Sequence, residues 1–152
     1  MDYTHLLLQD ADVSTPEDTF TTRSSNADPN GITGASRFFV NAHDTRAISD
    51  SILLYPDAAT ASTTLRQAAG SLGTMVSGGS PRRSPVGTDG TVISGSAPDG
   101  SKAVTLLLFT EGRALVRLEF DSATGDTTSN DYVDAVGRMQ QIALRIGLAD
   151  AA

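Results

Sequence analysis

Residues 102–120 constrain the fold more than any other stretch of the chain. Lys102 to Thr110 and Arg113 to Phe120 are two β-favouring runs separated only by Glu111 and Gly112, a link that permits nothing but an antiparallel reversal. In the second run Ala114, Val116, Leu118 and Phe120 alternate onto one face, while Arg113, Arg117 and Glu119 share the other with Leu115, so that face is at least partly wet. Pro98, Asp99 and Gly100 supply a turn that brings a preceding strand, Thr91 to Ala97, back alongside the first.

A second hairpin is written earlier. Ala35 to Ala42, with Phe38, Phe39 and Val40, and Ala47 to Tyr55, with Ile48, Ile52, Leu53 and Leu54, flank the short polar link His43 to Arg46. Pro56 suits the first position of a helix and Asp57 the positive end of its dipole. Ala58, Ala61, Leu65, Ala68 and Leu72 then fall on one stripe of that helix, which ends near Gly70. A C-terminal helix follows the polar connection Asp121 to Asn130, with Ser129 or Asn130 as its cap. Tyr132, Val136, Met139, Ala143 and Ile146 form its apolar stripe and Gly147 its stop.

The N-terminal part is less regular. Tyr3 to Gln9 reads as a short amphipathic helix, residues 11–34 as a long polar loop broken by Pro16, Pro29, Gly31 and Gly34, and Met75 to Pro85 as a loop or irregular edge. At 152 residues one core suffices, so residues 1–152 are expected to form a single α+β domain. Its expected architecture is an antiparallel sheet of about five strands, with helices packed mainly on one face.

The formal net charge of −7, with cations scattered along the chain, offers no stripe to displace counterions from a phosphate backbone, so nucleic acid is not an expected partner. No apolar run approaches the roughly 20 residues that span a bilayer. The first ten residues lack the basic start and long apolar stretch of a secretory leader, and Met1 directly before Asp2 would suit a chain trimmed of one. The absence of cysteine removes disulfides, thiolate chemistry and cysteine-based metal sites. Lys102 is the sole lysine against many arginines, and with abundant Ala, Gly, Ser and Thr this points to a GC-rich, actinobacterial type of genome.

Catalytic constellations are missing. His5 and His43 have no ligand-spaced partner, so neither metal nor cofactor is expected. Asn26, Asp28, Asn30 and Gly31 imitate the opening of a calcium loop, but Arg37 stands where the bidentate acid belongs, and a plain turn is the better reading. There is no G-x-S-x-G elbow around Ser94 or Ser96, and Gly87 to Gly95 matches neither phosphate-binding glycine pattern. The three glutamates, Glu17, Glu111 and Glu119, read as solvated charges. Arg82 and Arg83 can grip a carboxylate or phosphate, and with His43 and Arg46 of the first hairpin link they are the candidate ligand-binding residues.

The run "ISDSILLYPDAATASTTLRQAA", Ile48 to Ala69, and the hairpin "LLLFTEGRALVRLEF" ahead of a C-terminal helix together resemble the extracytoplasmic sensor domain of mycobacterial PknH-type serine/threonine kinases and related lipoproteins. The layout is also similar to the wider Mog1/PsbP-like α+β folds. Those kinase domains carry disulfides, and this chain has no cysteine to form one. The resemblance implies a noncatalytic, extracytoplasmic, envelope-located domain with a ligand-binding cleft. An unidentified small molecule, a lipid or an envelope protein is the expected partner. The loop before the first hairpin and the Arg82–Arg83 loop are its candidate rims. The rival readings are a protein-interaction module that uses a sheet edge or helix face, and a lipid carrier lined by Val104 to Phe109.

Overall fold

Both hairpins are present in the computed structural model, which describes residues 2–150, and they are joined into one sheet. Its strands are β1 (Phe20–Ala27), β2 (Gly34–Asn41), β3 (Arg46–Leu54), β4 (Arg82–Arg83), β5 (Thr88–Ser96), β6 (Ala103–Glu111) and β7 (Ala114–Ser122). They lie in the order β1-β2-β3-β7-β6-β5-β4, and every pairing is antiparallel. The sheet therefore has seven strands rather than about five. The two extra strands are its edges, where one neighbour is enough and no apolar alternation is required.

The helices do not share one face. α2 (Ala58–Ala69) is capped by Asp57, whose carboxylate accepts the Thr60 N–H at 2.7 Å, so Pro56 stands just outside the helix rather than at its first position. Leu65 of α2 and Leu72 beyond it pack with Ile93, Leu106, Leu108 and Leu115. α3 (Asn130–Asp150) lies on the opposite face, where Val133, Val136 and Leu144 join Leu107, Phe109, Val116, Leu118 and Phe120. The parity of β6 and β7 explains the split: successive side chains leave a strand on opposite faces, and both faces of β6 are apolar. Each helix thus covers the apolar face available to it, and a two-sided core results.

The N-terminal segment packs with α3. Only Thr4–Leu6 form a turn of 3-10 helix, after which Leu7 and Leu8 run extended with all three leucines buried. Their backbone is held by side chains from three other elements. Gln140 donates to the Leu6 carbonyl at 2.7 Å, Arg37 to the Leu8 carbonyl at 2.8 Å, and the Leu8 N–H donates to the Asp50 carboxylate at 3.1 Å. The expected loop at 11–34 is instead largely ordered: α1 (Asp10–Val13), β1, and a 3-10 turn over Pro29–Gly31. Across that turn the Asp28 carboxylate accepts the Gly34 N–H at 3.2 Å, so the calcium-like residues close a loop.

The α3 stripe is rotated from its expected position. Val133, Val136, Gln140 and Leu144 face inward, whereas Ile146 is 61% exposed. Gly147 does not stop the helix, which continues to Asp150. A Cβ built at Gly147 would lie 2.1 Å from Cδ2 of Leu6, so this glycine is what lets the N-terminal segment press against the helix. Ala in place of Gly ordinarily stabilises a helix by about 1 kcal/mol. Gly147→Ala is expected to do the reverse, lowering stability by about 1 kcal/mol as Leu6 is displaced from its buried seat. Urea unfolding decides it, since a raised midpoint would show that Leu6 moves aside freely.

Candidate functional site

The four sequence candidates do not converge. His43 and Arg46 sit at the β2–β3 turn, whereas Arg82 and Arg83 form the far edge strand, β4. Arg46 is already engaged: its guanidinium meets the Asp126 carboxylate at 2.7 Å and the Thr128 hydroxyl at 3.0 Å, which ties the 121–129 connection to β3. Asn41 completes the arrangement by bridging Asp18 and Thr45. Tyr132 lies beside it, its phenol pushed up to about 12 by burial and by the Asp18 charge. This end of the sheet is a structural clamp, and His43 is an exposed turn residue.

Arg82 and Arg83 point apart because they are neighbours in an extended strand. Arg82 hydrogen-bonds the Asn130 side chain at the start of α3. Arg83 faces the other way, into a cleft of about 420 Å³ between α2 and the β4–β5 hairpin. There it is joined by Arg66, on the turn of α2 that carries Leu65. The Arg66 Nε donates to the Ser62 carbonyl at 3.4 Å, leaving the terminal nitrogens free. Among the described residues, neither guanidinium has a carboxylate within ion-pair distance.

The cleft follows from local sequence. β4 is only two residues long, pairing Arg82 with Val92 and Arg83 with Thr91. Ser84 extends the ladder by donating its N–H to the Gly90 carbonyl at 2.9 Å, and Val86 then turns inward to become fully buried under α3. Gly87, at φ +62°, follows directly. A Cβ there would stand 2.4 Å from the Phe109 ring, so the loop can lie on the core only with glycine at this point. The register of β5 slips between Thr88 and Thr91, and this bulge carries Asp89 at φ 56°. The floor is Leu65 and the walls include Pro85 and Ala69. Thr91 lines it too, its hydroxyl donating to the Asp89 carbonyl at 3.1 Å, while the Ser84 hydroxyl turns to Asp134 of α3 at 3.3 Å; Asp89 is the one carboxylate at the lip.

Two guanidinia and an apolar floor can bind and orient a ligand. No histidine lines the cleft, so a serine there has no imidazole to activate it. Among the described residues no group of three His, Cys, Asp or Glu side chains is placed to hold a metal ion. Arg66 carries no site signal in the sequence, because one arginine on the polar side of a helix forms no pattern. Only the tertiary approach of α2 to the β4–β5 hairpin gives it a role. Among the described residues, the Val104–Phe109 strand fills the core on both faces, with Leu106 and Leu108 packed under α2 and Leu107 and Phe109 under α3.

Comparison with known proteins finds a likeness of fold. The crystal structure of the extracellular domain of PknH from Mycobacterium tuberculosis superposes with a TM-score of 0.61, over 91% of this chain and 92% of that one, at 10% sequence identity. The two share an α+β architecture across nearly their whole length. No family model and no curated protein matches the chain by sequence. No helix among the described residues is long and apolar enough to cross a membrane.

Proposed function

We propose that this protein is a noncatalytic, extracytoplasmic ligand-binding domain of the sensor type, with the cleft between α2 and the β4–β5 hairpin as its binding site. The observation that carries the reading is the pair of arginines without an ion-pair partner among the described residues, Arg66 on α2 and Arg83 on β4, held at one open cleft. Support for the location and for the sensor role comes from the shared fold with an extracellular kinase domain. The ligand recognises a surface and is not transformed by it, because the cleft has binding groups without a nucleophile and base in register.

Thermal-shift screening against envelope lipids, glycans and small anions tests the reading, because a ligand that binds only the folded chain raises the melting temperature by mass action. A concentration-dependent rise of several degrees is expected with one class. An unchanged melting temperature with all of them would turn the assignment toward a protein-interaction module.

A further inference from the structure

We infer that the cleft takes an oxyanion, phosphoryl or carboxyl, carried on a short apolar stem, with Arg66 and Arg83 closing on the anionic head and Leu65 receiving the stem. The inference rests on the ligand-binding reading above and narrows it to one chemical class. Three features argue for it together. First, the protein carries a net charge of −7, yet this cleft offers two guanidinia against one carboxylate, Asp89, so it is a positive island on an acidic surface. Most of the other arginines are committed: Arg37, Arg46, Arg82, Arg113, Arg117 and Arg145 each bond a protein group.

Second, the two guanidinia come from different elements, one from α2 and one from β4, so they approach a shared space from two sides. That is the arrangement in which planar, forked donors recognise a tetrahedral or planar oxyanion. Third, Leu65 at the floor belongs to the core under α2, so the deep end of the cleft is apolar where its rim is charged. A bare inorganic ion would leave that end unfilled. The volume of about 420 Å³ suits a head group with a short chain or a small ring.

The test is calorimetric titration and thermal shift of the whole chain with four probes: inorganic phosphate, hexyl phosphate, hexanoate and hexanol. Hexyl phosphate and hexanoate are expected to bind, inorganic phosphate at least ~10-fold more weakly, and hexanol not at all. Arg66→Gln and Arg83→Gln should each raise the Kd for hexyl phosphate ~10-fold or more, since each removes a charge-assisted hydrogen bond. Both side chains are exposed, so the melting temperature of the free variants should stay close to that of the parent. Vesicles of phosphatidic acid against phosphatidylcholine then separate a lipid head group from a soluble phosphate ester as the source of the same chemistry. Binding of hexanol as tight as hexyl phosphate, or full affinity in the double variant, would overturn the anion assignment. If a neutral glycan bound in the cleft, the ligand-binding reading would stand and this inference would fall. If no ligand of any class bound, both would fall.

Discussion

Raising the pH from 5 to 8 should destabilise this protein by about 3 kcal/mol through one carboxyl group, and Asp50→Asn should remove that loss. Asp50 is on β3 directly opposite Arg37, on the face covered by the N-terminal segment, and it is fully buried. One oxygen accepts the Leu8 N–H, and the other meets no hydrogen-bond partner among the described residues. Burial raises its pKa from the ordinary 3.8 to about 7; the Leu8 N–H and Arg37 oppose the rise and Asp12 adds to it. The unfolded chain gives up this proton near pH 4 and the folded chain only near 7. Over that window the folded state binds more protons, so stability falls with rising pH by about 1.4 kcal/mol per unit and levels off above 7.

Chemical unfolding of the parent and of Asp50→Asn at pH 5 and pH 8 isolates the effect, because repulsion among the other acids is common to both. The asparagine can still accept the Leu8 N–H, and its added N–H₂ costs on the order of 1–3 kcal/mol if unpartnered, at both pH values alike. The pH slope of the variant should therefore be flatter than that of the parent. Equal slopes would mean that Asp50 stays charged in the fold or is wetter than its burial implies. The first structure to loosen at high pH should be the segment held by that carboxylate, with faster amide exchange at Leu8 than in β6.

The second large effect is expected at Phe109. It is fully buried beneath α3, and its ring fills the space that a side chain at residue 87 would take. Phe109→Ala should cost about 3–5 kcal/mol, a large part of the 5–15 kcal/mol that ordinarily holds a domain together. Phe38 is the internal comparison: the same residue type, 37% exposed on the half of the sheet that α2 leaves uncovered, should cost about 1 kcal/mol or less on truncation. Equal costs at the two positions would contradict the two-sided core. Because Phe109 supports the Gly87 turn, its truncation should also weaken ligand binding in the cleft, although the side chain touches no ligand.

What could be read from the chain follows from how much of each element is apolar. β2, β3, β5, β6 and β7 bury enough side chains for their periodicity to show, as do Ala61 and Leu65 of α2 and Leu72 beyond it. β1 was hidden because, past Phe20, its residues are exposed and mostly Thr, Ser and Arg, so it pairs through its backbone alone. β4 was hidden by its length of two residues. The inward face of α3 contains Gln140, a polar side chain that serves the Leu6 carbonyl, and Gly147, a contact that looks like a terminator. Both made Ile146 look like core. At the site, Arg83 was legible as a cation in a loop, but Arg66 was not, and Arg82 and Arg46 were committed to neighbours far away in sequence.

The sixth strand carries a wider consequence. From Ala103 to Thr110 every side chain is buried, so sliding it by one position would exchange one greasy set for another and lose little contact area. Its own residues cannot tell up from down. The correct alignment has to be remembered by the bends at either end, Pro98 to Gly100 and Glu111 to Gly112, and by the partner that follows, which alternates from Val116 onward. A single-residue insertion in one of those small reversals would therefore do more harm than most exchanges within the strand they guard.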